Sequence, residues 1–369
     1  MLQRVPFNPD ELKNPGTHAP ARPGAAPARK LNTPITPKEN YDAVYRKGDM
    51  PLWVPLGADR RSFMPRIDPD HIARNWVFEV NPLTDAELES LATKGYKDKH
   101  DIDWIYVPVT GGSIVRPGSP ALLNANDWPK VIKMPDVSKW DWAGSAAANK
   151  DFLANDTRQL YVWIFTGFFE RLISFMDFEG AAMALIDEDQ QDAVKALFDK
   201  LADVYVDMVK LYKKYFNPHI VCVHDDWGHQ INPFFGLDTV MEMIVPAFNK
   251  VGKAIHDEGM WFDIHSCGKN EILVPAYIAA GADSWSGQNM NDKAMLHQKY
   301  GDKIILGIET DVALTPQSSD EEAIGAAKRW LAKYGPTYDT KPAFCSAMAA
   351  PLSFADTLYE ESRKLFSKG

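Results

Sequence analysis

The chain has 369 residues, 45% hydrophobic and 24% charged, a globular balance that excludes wholesale disorder. Forty basic residues against 50 acidic ones leave a net charge of −10, which argues against nucleic acid as a partner, because phosphate binding needs a basic surface. No apolar run approaches the ~20 residues that cross a bilayer, no apolar secretion segment stands between Met1 and Pro20, and the three cysteines are too few for a disulfide framework. A cytoplasmic, membrane-free setting is expected.

Residues 1–35 read as a flexible arm. Prolines at 6, 9, 15, 20, 23, 27 and 34 remove backbone donors and fix φ, so neither a helix nor a central strand fits. The alternative is an arm wrapped across a partner subunit in a homodimer. Ordered structure is expected from Thr36-Pro37-Lys38-Glu39, a capping box with proline at the first helical position. Leu52-Trp53-Val54-Pro55-Leu56 then suggests a short strand. Residues 68–150 are irregular and read as an elaboration over one face, with a hairpin turning at Gly111-Gly112 between Trp104–Val107 and Ser113–Val115.

Beyond residue 158 the pattern alternates. Apolar runs at Leu160–Phe165, Ile220–His224, Met260–His265, Asp283–Trp285, Ile304–Ile308 and Ala343–Cys345 are separated by helical segments. The clearest helix is Asp187–Phe216, with Val194, Leu197, Leu201, Val204, Met208 and Leu211 at three- and four-residue steps. Strand and helix in alternation mean parallel strands with crossover helices. These six strands, Leu52–Leu56 and one from the middle region make eight. The expected class is therefore α/β, a (β/α)8 TIM barrel forming one domain over 36–369, with its site at the strands' C-terminal ends.

Those ends carry the chemistry. Ile220–Val223 leads into His224, Asp225, Asp226 and Trp227; Trp261–Ile264 leads into His265, Ser266 and Cys267; Ile304–Ile308 leads into Glu309; Cys345 closes the last run. Residues i and i+2 of a strand share a face, so His265 and Cys267 can meet at one ion. Cys345, three βα units on, can return across the mouth. One nitrogen and two sulfurs suit Zn²⁺ with a fourth, exchangeable position, although such a pair is also compatible with ordinary packing. Only one of Asp225 and Asp226 can face the mouth, as ligand, base or substrate anchor; a helix cap or turn is the alternative. Glu309 has the same two readings. Arg60, Arg61 and Arg66 read as solvated, with a carboxylate grip as the alternative. Trp53, Trp227 and Trp285, near strand ends, are candidate substrate-pocket walls, and Cys222 reads as core.

The stretches His265-Ser266-Cys267-Gly268-Lys269, Ile278-x-x-Gly281-Ala282-Asp283 and Lys299-Tyr300-Gly301-Asp302-Lys303 resemble the uroporphyrinogen decarboxylase superfamily. So do Thr36–Asn40 with Trp53-Val54-Pro55, and Asp225-Asp226-Trp227-Gly228-x-Gln230. The likeness spans about residues 36–367. Within it, His265-x-Cys267 with the distant Cys345 resembles the zinc-binding, corrinoid-dependent methyltransferase branch. The resemblance implies a (β/α)8 barrel, zinc held by His265, Cys267 and Cys345, and a cobalamin carried by a partner corrinoid protein. It leaves the fourth ligand open between Glu309 and Asp226. The decarboxylase's Arg-Gln-Ala-Gly-Arg stretch is replaced here by Gly57-Ala58-Asp59-Arg60-Arg61, which disfavours decarboxylation.

Two activities of that branch compete. One moves methyl from a methylated corrinoid to the thiol of coenzyme M. The other moves methyl from an aryl methyl ether to Co(I) of the corrinoid protein, an O-demethylation. The tryptophan-rich composition and the 68–150 insertion favour the second. Zinc would then act as a Lewis acid on the ether oxygen, with Asp226 or Glu309 orienting a neighbouring hydroxyl or tuning the metal.

Overall fold

The computed structural model describes residues 2–13, 16–22, 25, 27–118, 120–154, 156–347 and 350–367. Seven parallel strands form its main sheet: β1 (Arg60–Phe63), β2 (Gln159–Ile164), β3 (Ile220–His224), β4 (Trp261–Ser266), β5 (Ser284–Gly287), β6 (Ile305–Ile308) and β7 (Ala343–Cys345). Their order across the sheet is β7-β6-β5-β4-β3-β2-β1. Helices connect them, as the expected (β/α)8-type barrel requires. Every residue of β3 is buried, the near-continuous apolar run of a strand covered on both faces.

Among the described residues the sheet has seven strands rather than eight, and both differences have a cause. The middle region makes its own three-stranded antiparallel sheet (Tyr96–Lys97, Asp103–Val107, Gly112–Val115), which includes the expected hairpin. Leu52–Leu56 joins the main sheet only through a parallel bridge from Leu56 to Cys345. Side chains satisfy its N–H groups instead, with Ser362 taking Val54 and Asp59 taking Leu56. Asn40 Oδ1 accepts from the N–H groups of Leu52 (2.7 Å) and Trp53 (3.3 Å), and its Nδ2 donates to Trp53 O (3.0 Å). A buried amide thus stands in for a neighbouring strand.

The chain divides into two compact units. The first comprises residues 1–62, 156–160 and 283–369, and the second residues 63–155 and 161–282.

In the first unit the described residues of the arm make specific contacts. Leu2, Phe7, Leu12, Leu31 and Ile35 pack against Leu52, Trp53 and Tyr359. Gly16–His18 pairs antiparallel with Ala28–Lys30. The latch is Glu11, which accepts from Arg363 at 2.9 and 3.0 Å and from Tyr359 Oη at 2.6 Å. Of the arm's prolines, Pro15 and Pro23 lie outside the described residues.

In the second unit the helix Gln191–Phe216 buries the predicted stripe (Val194, Leu197, Leu201, Val204 and Met208) and ends at Asn217 in the left-handed region, φ 48°. The elaboration is tied down by a buried ionic network. Arg171 bonds Asp70 and Asp98, and Lys99 reaches Asp68 at 2.9 Å and Asp70 at 3.2 Å.

Candidate functional site

Strands β3 and β4 pair in parallel with His224 opposite His265. In-register residues of neighbouring strands point the same way, so the two imidazoles stack, with centroids 5.1 Å apart and planes 12° from parallel. Two residues after each histidine, just past the strand, stands a second donor. Cys267 Sγ lies 3.5 Å from His265 Nε2, and Asp226 Oδ1 lies 3.6 Å from His224 Nε2. The Cys267 N–H donates to Asp226 Oδ1 at 2.6 Å, joining the segments that follow the two strands. Four donor atoms, from His224, Asp226, His265 and Cys267, lie within 4.8 Å of one another.

This set fits a divalent cation. A tetrahedral shell with bonds of about 2.0–2.3 Å has ligand-to-ligand edges of roughly 3.3–3.8 Å. The two edges just given fall in that range. Two imidazoles, a carboxylate and a thiolate form a borderline-soft set that suits zinc among the common ions.

Glu170 supports the set from behind. Its Oε2 is 2.7 Å from His224 Nδ1, leaving Nε2 for the cluster, and its Oε1 accepts from Arg74 at 3.0 Å. Burial raises the Glu170 carboxyl, but Arg74 and His224 outweigh it and hold it at about 2. Burial lowers His224, yet Glu170 and Asp226 carry it well above its ordinary value. Burial pushes the Asp226 carboxyl and the Cys267 thiol up. A cation bound here would have to displace protons from these groups. On its other face His224 stacks on Phe165, centroids 4.9 Å apart, and Phe165 stacks on Trp76 at 5.2 Å.

Asp225 turns the opposite way. It accepts from the N–H groups of Phe168, Phe169 and Glu170 (3.1, 3.0 and 2.8 Å) at the start of the helix Phe168–Ala184, and from Trp227 Nε1 at 2.8 Å. Asp225 is thus a helix cap, whereas Asp226 faces the cluster. A Cβ on Gly167 would overlap the Asp225 side chain, so this cap needs glycine there.

The other predicted residues have distinct places. Cys345 and Glu309 belong to the first unit, where β6 and β7 pair Ile308 with Cys345. Cys345 is buried, and burial pushes its thiol up to about 12. Glu309 lies 3.6 Å from Lys293 Nζ, which donates to the carbonyls of Gly287 and Gly307, each at 2.9 Å. Trp227 is fully buried and stacks on Tyr277 at 4.9 Å. Trp285 is fully buried with Lys293 over its ring, and Trp53 is buried in the first unit. Cys222 is core.

Arg60 and Arg61 are not solvated as expected. Arg60 bonds Tyr45 and lies over the Phe344 ring at 4.1 Å, and Arg61 pairs with Asp156 at 3.2 Å. Sequence reasoning ranked His265 and Cys267 as ligands and Asp226 as a candidate, and offered His224 only as the fourth ligand of a purely structural zinc. The signal was present: His224-x-Asp226 repeats the same two-residue step one strand earlier.

No family model matches the chain, and no curated protein matches it. Among solved structures, a methyltransferase from Methanosarcina mazei superposes with a TM-score of 0.56 at 12% identity, covering 90% of this chain and 99% of its own. That likeness shows the fold, a TIM-barrel-type α/β architecture. A glycosylated endo-β-1,4-xylanase from Gloeophyllum trabeum matches at TM-score 0.37 and 10% identity, over 61% of this chain and 81% of its own. A sugar phosphate isomerase/epimerase from Parabacteroides distasonis matches at TM-score 0.29 and 13% identity, over 68% and 97%.

Proposed function

We propose that this chain is a zinc-dependent methyltransferase that moves the methyl of an aryl methyl ether to the Co(I) corrinoid of a partner protein. The observation that carries the reading is the convergence of His224, Asp226, His265 and Cys267 within 4.8 Å. A methyltransferase fold neighbour and the resemblance to the corrinoid-dependent branch support it.

His265 and Cys267 are the proposed ligands common to sequence and structure, with His224 and Asp226 as the donors beside them. A zinc ion held by three of these donors would keep one position open, and there it would supply Lewis acidity to the ether oxygen, where charge develops as phenolate leaves. The chain's own residues supply the rest. Glu170 fixes the His224 ring and its tautomer through Nδ1. Asp226, with one oxygen on the Cys267 N–H, orients a neighbouring substrate hydroxyl. In balance, the O–CH3 bond breaks, its electron pair stays on oxygen, and the methyl joins cobalt, which donates two electrons.

The test has two readouts. Purified protein should contain about one zinc per chain, lost in Cys267→Ala and His265→Ala. Methoxybenzenes should methylate Co(I) cobalamin in its presence, followed by absorbance. Metal-free wild-type protein would sink the reading. Demethylation of methylcobalamin by coenzyme M, with methoxybenzenes inert, would assign the thiol-directed activity instead. Loss of zinc in Cys345→Ala would make Cys345 a ligand, as the resemblance implies.

A further inference from the structure

The second unit contains a cavity of about 590 Å³. Its walls are the edge strand Gly112–Val115 of the three-stranded sheet and the helix Phe168–Ala184, and Arg74 and Glu170 line it as well. Glu170 joins it to the donor cluster: Oε1 accepts from Arg74 at 3.0 Å, and Oε2 lies 2.7 Å from His224 Nδ1. His224, Asp226, His265 and Cys267 are not among the described residues that line it.

The charges of the lining are matched, with one exception. Asp101 pairs with Lys97 at 2.8 Å and Lys133 at 2.7 Å, and Arg116 pairs with Asp103 at 2.5 Å. Asp177 accepts from the Gly180 N–H at 2.8 Å, capping the turn that follows the kink of its helix. The exception is Arg74. Its side chain is only 12% exposed, and the Trp104 and Phe165 rings lie 4.8 and 5.1 Å from its guanidinium carbon. Nη2 donates to Glu170, whose charge is shared with His224. Nε and Nη1 have no acceptor among the described residues. A guanidinium this enclosed is seldom left with open N–H groups. Ser113 Oγ, also in the lining, is buried and has no partner among the described residues.

The rest of the lining is mostly apolar, with Ile102, Ile114, Val115, Ile173 and Phe178. Ile114 and Phe178 are each 47% exposed. These features describe an anion of single charge with an apolar body. The open N–H edge of a guanidinium takes a carboxylate in fork geometry. Asp101, Asp103 and Asp177 nearby oppose a dianion such as phosphate, because like charges brought together repel. A cavity of about 300–1,000 Å³ with few placed polar groups suits a small molecule.

We infer that this cavity is a second ligand site, that it binds a small monocarboxylate with an aliphatic body, and that Arg74 recognises the carboxylate. The carboxylate meets the open edge of Arg74, and the body packs against Ile114, Ile173 and Phe178. The inference does not depend on the metal reading.

Calorimetric titration of full-length protein with cyclohexanecarboxylate tests it, with cyclohexanecarboxamide as the neutral comparison of like shape. Wild type is expected to bind the carboxylate at least about tenfold more tightly than the amide. Arg74→Met is expected to weaken the carboxylate at least about tenfold. Ile114→Glu, at an exposed position of the edge strand, adds a negative charge to the lining and is expected to weaken it about threefold or more. That variant keeps the test decisive should Arg74→Met fail to fold. Cys267→Ala removes a donor of the cluster and is expected to bind the carboxylate as wild type does. No binding by wild type, equal binding of the amide, or tighter binding of inorganic phosphate would each overturn the inference. So would folded Arg74→Met or Ile114→Glu protein that binds the carboxylate as wild type does. Loss of binding in Cys267→Ala would place the carboxylate at the donor cluster and overturn it as well.

Discussion

His224 and His265 stack ring on ring at the paired ends of β3 and β4, 5.1 Å between centroids. Parallel register alone sets this relationship, and the donors at the next same-face positions, Asp226 and Cys267, complete a four-atom set. Asp225 and Asp226 should therefore separate cleanly under mutation. Asp226→Asn is expected to lower zinc content, measured by mass spectrometry of purified protein. Asp225→Ala is expected to keep the zinc and to lose roughly 1–3 kcal/mol of stability, because buried N–H groups at a helix start lose their acceptor. Glu170→Gln is expected to weaken zinc binding by about 10–100-fold without abolishing it, since it changes only the group that orients His224.

The arm's latch gives a pH dependence of definite sign. Burial raises the Glu11 carboxyl, but its bonds to Arg363 and Tyr359 outweigh that and lower it. A carboxyl lowered by folding contributes stability above its unfolded value of about 4.3, and that contribution is lost as pH falls through the folded value. Acid should therefore release residues 2–13 before the rest of the unit unfolds, seen as faster amide hydrogen exchange or proteolysis of the arm. Glu11→Gln should release the arm at neutral pH, at a cost of about 3–5 kcal/mol to the buried Arg363 pair.

What was legible in the sequence was what one strand or helix decides by itself. The apolar run Ile220–His224 is a strand at those same bounds, and Ala343–Cys345 likewise. The stripe over Asp187–Phe216 is a buried helix face. His265-x-Cys267 showed its shared face for the same local reason. What depends on partners distant in the chain was hidden. Glu11 meets Arg363 across 352 positions, and nothing near either residue announces it. Leu52–Leu56 has a strand's composition, but most of its N–H groups bond side chains, those of Asn40, Ser362 and Asp59. Arg60 and Arg61 read as surface charges because Tyr45, Phe344 and Asp156 lie far away in sequence.

Asn40 can be tested directly. Asn40→Ala would strand two N–H groups and a carbonyl in a buried segment, each costing about 1–3 kcal/mol. Asn40→Asp would keep the acceptor but bury a carboxyl against Trp53 O, so it does not isolate the donor. Thermal unfolding should place Asn40→Ala well below wild type. A midpoint equal to that of wild type would show that the amide does not replace a strand.

Gly268 offers the sharpest test of how the two ligand-bearing loops are held. Its φ of +96° is strained for any residue with a Cβ, and that Cβ would overlap the carbonyl of Gly228. The backbones therefore touch at these glycines, and Lys269 N–H donates to His229 O at 2.8 Å beside them. Gly268→Ala must pry the loop after β4 from the loop after β3, stretching the Cys267 N–H to Asp226 contact. Gly259 is the control: its φ is +70°, but nothing lies within 4 Å of its would-be Cβ. Gly259→Ala should cost only the left-handed strain of about 1–2 kcal/mol and leave zinc affinity unchanged. Gly268→Ala should cost more and weaken zinc binding as well, read by competition with a chromophoric chelator. If both variants lose stability alone and bind zinc as wild type does, the close approach of the two loops is not what assembles His224, Asp226, His265 and Cys267.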